Sequence, residues 1–130
     1  MNSLFSDLLL QSRALSNEMR NFLENSPWLR SKDRSFDQRL EVFNMLMFLC
    51  DSLTALQSWG SAQEAVLQGL LMPEEAAAES SLLAETEEHL QKFTAKANEY
   101  PEELQELLER FGNLFFGQEQ LDSLIIAKAA

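Results

Sequence analysis

Cysteine, histidine, glycine, proline and the β-branched aliphatics are all scarce in these 130 residues, and each scarcity closes off a class of protein. One cysteine, Cys50, cannot close an internal disulfide, so a disulfide-stapled scaffold is excluded. Its place in Phe48-Leu49-Cys50 reads as a buried, small apolar side chain, and free thiols of this kind suit a reducing compartment. One histidine, His89, cannot supply the paired Glu-x-x-His ligands of a di-iron bundle, and position 86, where such a ligand would stand, is Thr. No metal and no cofactor is therefore expected. Four unclustered glycines rule out a phosphate-cradling loop, and no Gly-x-Ser-x-Gly elbow exists. Val and Ile number only four (Val42, Val66, Ile125, Ile126), which disfavours a sheet. The longest apolar run, Met45 to Cys50, is far short of the ~18 residues of a membrane span. The first residues lack a basic n-region and Asp7 interrupts their apolar character, so no signal peptide is expected and a cytoplasmic location is.

What remains is abundant Leu, Ala, Glu and Gln, which favour helices. A chain of this length is normally one domain with a core of its own. Its apolar fraction of 45% is enough to fill that core despite a formal charge of −11. The spacing of apolar residues predicts helices over approximately 2–24, 36–59, 62–71, 73–100 and 102–127, that is, a single-domain all-α fold arranged as an antiparallel four- to five-helix bundle.

The first helix carries Leu4, Leu8, Leu15, Met19 and Phe22 at helical steps, with Ser3 as N-cap, and ends where Pro27 restricts the residue before it. A loop from Ser26 to Ser35 follows, in which Trp28 stands among Arg30, Lys32 and Arg34. The second helix opens with Ser35 as N-cap and Asp37 just inside it, and Gly60 is placed to end it. It carries two apolar stripes. One is Phe36, Leu40, Phe43, Met47 and Cys50; the other is Val42, Leu46, Leu49, Leu53 and Leu56. Together they span about 200° of the helix, well beyond an ordinary amphipathic face. This helix is therefore either central in the bundle or partnered from outside.

Ser61-Ala62-Gln63-Glu64 reads as a capping box opening a short third helix, and Pro73-Glu74-Glu75 and Pro101-Glu102-Glu103 both read as helix starts. The fourth helix has the stripe Leu83, Thr86, Leu90, Phe93, Ala97 and Tyr100. The fifth has Leu104, Leu107, Leu108, Phe111, Leu114 and Phe115, with Leu121, Leu124 and Ile125 in phase beyond Gly117.

Charge is distributed unevenly. Residues 1–59 hold 6 Lys/Arg against 7 Asp/Glu, and residues 60–130 hold 4 against 14. Eleven glutamates fall between Glu74 and Glu109. Such a surface repels nucleic acid and anionic lipid and favours a basic partner, or serves solubility alone.

Within the acidic half, His89-Leu90-Gln91-Lys92-Phe93-Thr94-Ala95 resembles the core of histidine phosphotransfer domains, which are acidic helical bundles of about this size. Lys92, Thr94 and Ala95 match that family's pattern, while Phe93 stands where it has Gly. The resemblance covers seven residues and implies phosphotransfer through His89 with Lys92 beside it. An alternative pairs His89 with Glu85, one turn back.

The function expected from these features is non-catalytic protein binding, as a small acidic cytoplasmic chaperone or adaptor of the secretion or export type. The expected binding residues are Trp28, Val42, Met45, Leu46, Phe48, Leu49, Leu53 and Leu56, the methionine suiting an adaptable surface. The partner is another protein, basic or partly unfolded, or a second copy of the chain; no direct nucleic-acid contact and no membrane span are expected. The acidic surface of Glu85, Glu88, Glu99, Glu102, Glu103 and Glu106 supports a second alternative, an inhibitor or nucleic-acid mimic that fills a basic groove.

Overall fold

Each of the three prolines marks the start of a helix, where a missing N–H costs nothing. In the computed structural model, α1 runs Ser6–Asn25, α2 Pro27–Arg30, α3 Phe36–Leu67, α4 Pro73–Ala77, α5 Ser81–Ala95 and α6 Glu102–Ala129, with a 3₁₀ turn at Ala97–Glu99. The structure describes residues 5–77 and 81–129, with side chains at 5–75, 85–115 and 117. All regular structure among the described residues is helical. No helix among them is long and apolar enough to cross a membrane. The expected Ser3 cap and Leu4 lie outside the described residues, as do the side chains of Leu83, Leu121, Leu124 and Ile125.

Helix α1 buries Leu8, Leu15, Met19 and Phe22, with the small Ser12 and Ser16 between them. It ends at Asn25, where the Ser26 N–H donates to the Phe22 carbonyl at 2.9 Å and the chain turns extended ahead of Pro27. The single turn α2 then occupies part of the expected loop. Ser35 caps α3 as its sequence predicts, its hydroxyl accepting from the Gln38 N–H at 3.2 Å.

Helix α3 corrects the sequence reading at its far end. It passes through Gly60 and the apparent capping box without a break and stops at Leu67. Gly60 is buried, and a Cβ there would lie 3.3 Å from Leu9 Cδ2. Its glycine therefore serves close approach of α1 and α3 rather than termination. Gly69 does the terminating. At φ +77 it holds the left-handed conformation, and the Leu70 N–H reaches the Ala65 carbonyl at 2.8 Å while the Gly69 N–H reaches that of Val66 at 3.0 Å. Those are the two bonds of a Schellman stop.

The fourth expected helix, 73–100, is divided: α5 ends at Ala95 and the 3₁₀ turn carries the chain to Pro101. Conversely, Gly117 does not interrupt α6.

The core is filled from α1, α3 and α6. The start of α1 meets the far part of α3, where the Phe5 and Trp59 rings pack edge-to-face at 5.5 Å. The end of α1 meets the beginning of α3, where Leu23 borders the same groove as Leu40 and Phe43. Helix α6 supplies Leu104, Leu107, Leu108, Phe111, Leu114 and Phe115, all buried as their spacing predicts. Each fully buried Leu or Phe in this cluster contributes about 1.5–3 kcal/mol from removal of apolar surface from water. Polar ties fix the neighbours. Ser52 and Thr86, both buried, share a 2.8 Å hydrogen bond between α3 and α5, Lys96 Nζ reaches Glu41 at 2.9 Å, and Arg110 of α6 reaches Glu18 of α1 at 2.5 Å.

Candidate functional site

The position of α3 sorts its two stripes. Val42, Leu46, Leu49, Leu53 and Leu56 point inward and are buried to 1% exposure or less. About a third of a turn round the helix, Phe36, Leu40, Phe43 and Met47 are 67%, 42%, 46% and 44% exposed. Most of the expected binding residues are thereby corrected. Val42, Met45, Leu46, Leu49, Leu53 and Leu56 belong to the chain's own core, where no partner reaches them. Phe48 is half-buried against His89, and Trp28 is half-buried at the edge of the core. The apolar surface presented to solvent is the other stripe, which the sequence displays in its spacing.

That stripe has a regular spacing. Residues 36, 40, 43, 47, 50, 54 and 57 step alternately by four and three, the seam spacing of a helix that packs against another helix. At 1.5 Å per residue it is roughly 30 Å long. Two shallow grooves between α1 and α3 lie along it. One, of about 260 Å³, is lined by Leu23, Leu29, Arg30, Phe36, Arg39, Leu40 and Phe43. The other, of about 240 Å³, is lined by Arg13, Ser16, Asn17, Arg20, Thr54 and Gln57. Cys50 lies on the seam between them. Burial first, and Asp51 less, hold its thiol above the ordinary value, with Arg20 pulling against them. A buried, protonated thiol is a packing residue here.

The four arginines of the two grooves are set in a strongly acidic chain, yet no carboxylate lines either groove. Arg30 donates to the Glu24 carbonyl. The Arg39 Nε is buried with no hydrogen-bond partner among the described residues. None of the four forms an ion pair among the described residues.

The remaining expected sites are placed as follows. The imidazole of His89 is half-buried, 4.6 Å from the Phe48 ring and stacked at 6.2 Å on that of Phe93. The residue that departs from the phosphotransfer pattern is thus the one lying against the histidine. No ion pair joins His89 to Glu85 among the described residues, and Lys92 is at 4.0 Å from Glu88 instead. Glu85, Glu88, Glu99, Glu102, Glu103 and Glu106 are all exposed. Trp28 carries Arg34 over its ring at 5.4 Å, so two members of the cationic loop are held together. Its indole N–H and the Tyr100 hydroxyl are both buried without partners and border one small cavity with Glu41 and Glu99. Among the described residues, no three His, Cys, Asp or Glu side chains gather in a metal-binding arrangement.

No curated protein and no solved structure matches the chain significantly. One family model does, over residues 1–130, and the chain belongs to that family, described as Protein of unknown function (DUF1465).

Proposed function

We propose that residues 1–130 act as one domain, an antiparallel bundle of four to five helices, and that it is a non-catalytic protein-binding module, a small acidic cytoplasmic chaperone or adaptor. The observation that carries this reading is the outward stripe of α3, with four large apolar side chains between 42% and 67% exposed on one helical face. Scattered exposed hydrophobics need no explanation, but an aligned set facing water costs solubility and marks an interaction surface. Its length and spacing suit an apolar anchor set for a helix laid in a groove. Nothing comparable supports a reaction. The histidine is hemmed between two phenyl rings, and the glutamates are solvated.

A second reading, an acidic mimic that fills a basic groove, is favoured by the six exposed glutamates. The two readings use different residues, so one experiment separates them. A photoreactive residue is placed at position 43 or at position 88 of the full chain in cells, each adduct is identified, and the complex is remade from purified components. An adduct from 43 but not 88, lost in purified Leu40→Ser protein, supports the α3 face. An adduct from 88 alone supports the mimic. Adducts from neither position overturn both readings.

A further inference from the structure

We infer that the occupant of the α3 face is an acidic amphipathic helix of a partner protein, seated along the α1/α3 seam with its carboxylates on Arg13, Arg20, Arg30 and Arg39. This rests on the proposed protein-binding role and names the chemistry of the partner.

Two independent observations carry it. The first is the seam. Phe36, Leu40, Phe43 and Met47 repeat with the four-three alternation that continues through Cys50 and Thr54 to Gln57, and a stripe of that period stays in register with a second helix rather than with an extended strand. The second is the charge beside it. The chain has ten Lys/Arg in all, and four of them line these two grooves with no carboxylate among the lining residues. Glu24, one turn beyond Arg20, and Asp51, one turn beyond Met47, belong to neither lining. Three cations outside the grooves are paired, Arg110 with Glu18, Lys96 with Glu41 and Lys92 with Glu88, and Arg34 lies over the Trp28 ring. A positive flank on the α1 side of an apolar stripe, on a molecule of formal charge −11, selects a partner helix with carboxylates along that edge and disfavours a basic one there.

A second copy of the chain fits less well. Antiparallel pairing of two α3 stripes about a two-fold axis would set each arginine-lined flank against its own counterpart. Each copy would also bring a formal charge of −11.

The test uses the full chain and three labelled helical peptides of about three heptads, each with Leu and Ile at the seam positions and Glu, Gln or Lys at the flanking positions. Fluorescence anisotropy at low salt should show the Glu peptide binding about tenfold more tightly than the Gln peptide, with the Lys peptide weakest. Both substituted residues of Arg13→Glu/Arg20→Glu are exposed, so the variant keeps its fold by circular dichroism and should lose that order or reverse it. Phe43→Glu should abolish binding of all three. Equal binding of the three peptides overturns the acidic-helix inference and leaves the protein-binding role standing. Binding of no peptide, with an adduct still formed at position 43 in cells, does the same. Binding of no peptide and no adduct overturns both. A dimer in sedimentation equilibrium that Phe43→Glu dissociates makes a second copy the occupant, and also overturns the inference.

Discussion

Helix α3 carries two stripes of nearly the same composition with opposite fates. Val42, Leu46, Leu49, Leu53 and Leu56 are sealed in the core, with α1 and α5 packed against α3, whereas Phe36, Leu40, Phe43 and Met47 face water about a third of a turn away. Burial of the first set drives folding; exposure of the second works against solubility and contributes little to it. The difference shows that an over-wide apolar helix can be core along one stripe and exposed surface along the next. Position around the axis decides which, and hydrophobicity does not.

The comparison is broken most directly by truncating one residue from each stripe. Leu49 is fully buried, so Leu49→Ala removes its packing and leaves a cavity, at a cost of about 2–5 kcal/mol. Phe36→Ser, on the exposed stripe, should shift stability by no more than ~0.5 kcal/mol. Urea denaturation followed by circular dichroism measures both. Similar losses at the two positions would mean that the outward stripe is covered by the chain itself.

Glycines sharpen the same contrast. At Gly60 an added Cβ already meets Leu9 at 3.3 Å, so the larger Gly60→Val forces α1 away and should destabilise by about 1–3 kcal/mol. At Gly117 a Cβ meets nothing within 4 Å among the described residues, so Gly117→Ala should stabilise by up to about 1 kcal/mol through helix propensity. A thermal melt of each variant should move in opposite directions. A smaller effect is expected across α3 and α5, where Thr86→Val removes the 2.8 Å bond to Ser52. The Ser52 hydroxyl retains the Phe48 carbonyl at 3.0 Å, so the loss should be about 1 kcal/mol in the same denaturation assay.

Much of the fold was legible because its signals are local. Ser35 caps α3 through its own side chain, Pro27 marks the end of α1, Pro73 and Pro101 mark helix starts, and the Leu104–Phe115 stripe is buried as spaced. The errors arose where a local signal served a tertiary purpose. Gly60 followed by Ser-Ala-Gln-Glu has the composition of a stop and a new start, but Leu9 of a distant helix needs the space. The true stop, Gly69, has only its backbone to show for it, a positive φ and two Schellman bonds. The exposed face of α3 was half legible. Periodicity revealed both stripes, but which of them α1 and α5 would cover depends on long-range packing that no single window contains. The arginines of the grooves were hidden more deeply, since Arg13 and Arg20 come from α1 and reach α3 only in the folded chain.

The finest distinction between the two sides of α1 lies in its charges. Glu18 is paired with Arg110, while Arg13 and Arg20 form no ion pair among the described residues. The hydrogen bond from Arg110, reinforced by its charge, holds the Glu18 carboxyl below its ordinary value. A lowered folded value means that the pair stabilises the protein above the unfolded Glu pKa of about 4.3, and that this contribution disappears as pH falls through the lowered value. Both side chains are about half exposed, so solvent screening limits the whole effect to roughly 0.2–1 kcal/mol. Glu18→Gln should therefore lower stability slightly at pH 7, less in high salt, and flatten the acid limb of the stability curve below about pH 4.5. Arg20→Gln should leave that limb unchanged, because no carboxylate depends on it. An acid limb altered equally by both substitutions would show that Arg20 is paired in solution. The outward groove would then lose one of the cations proposed to hold a partner's carboxylates.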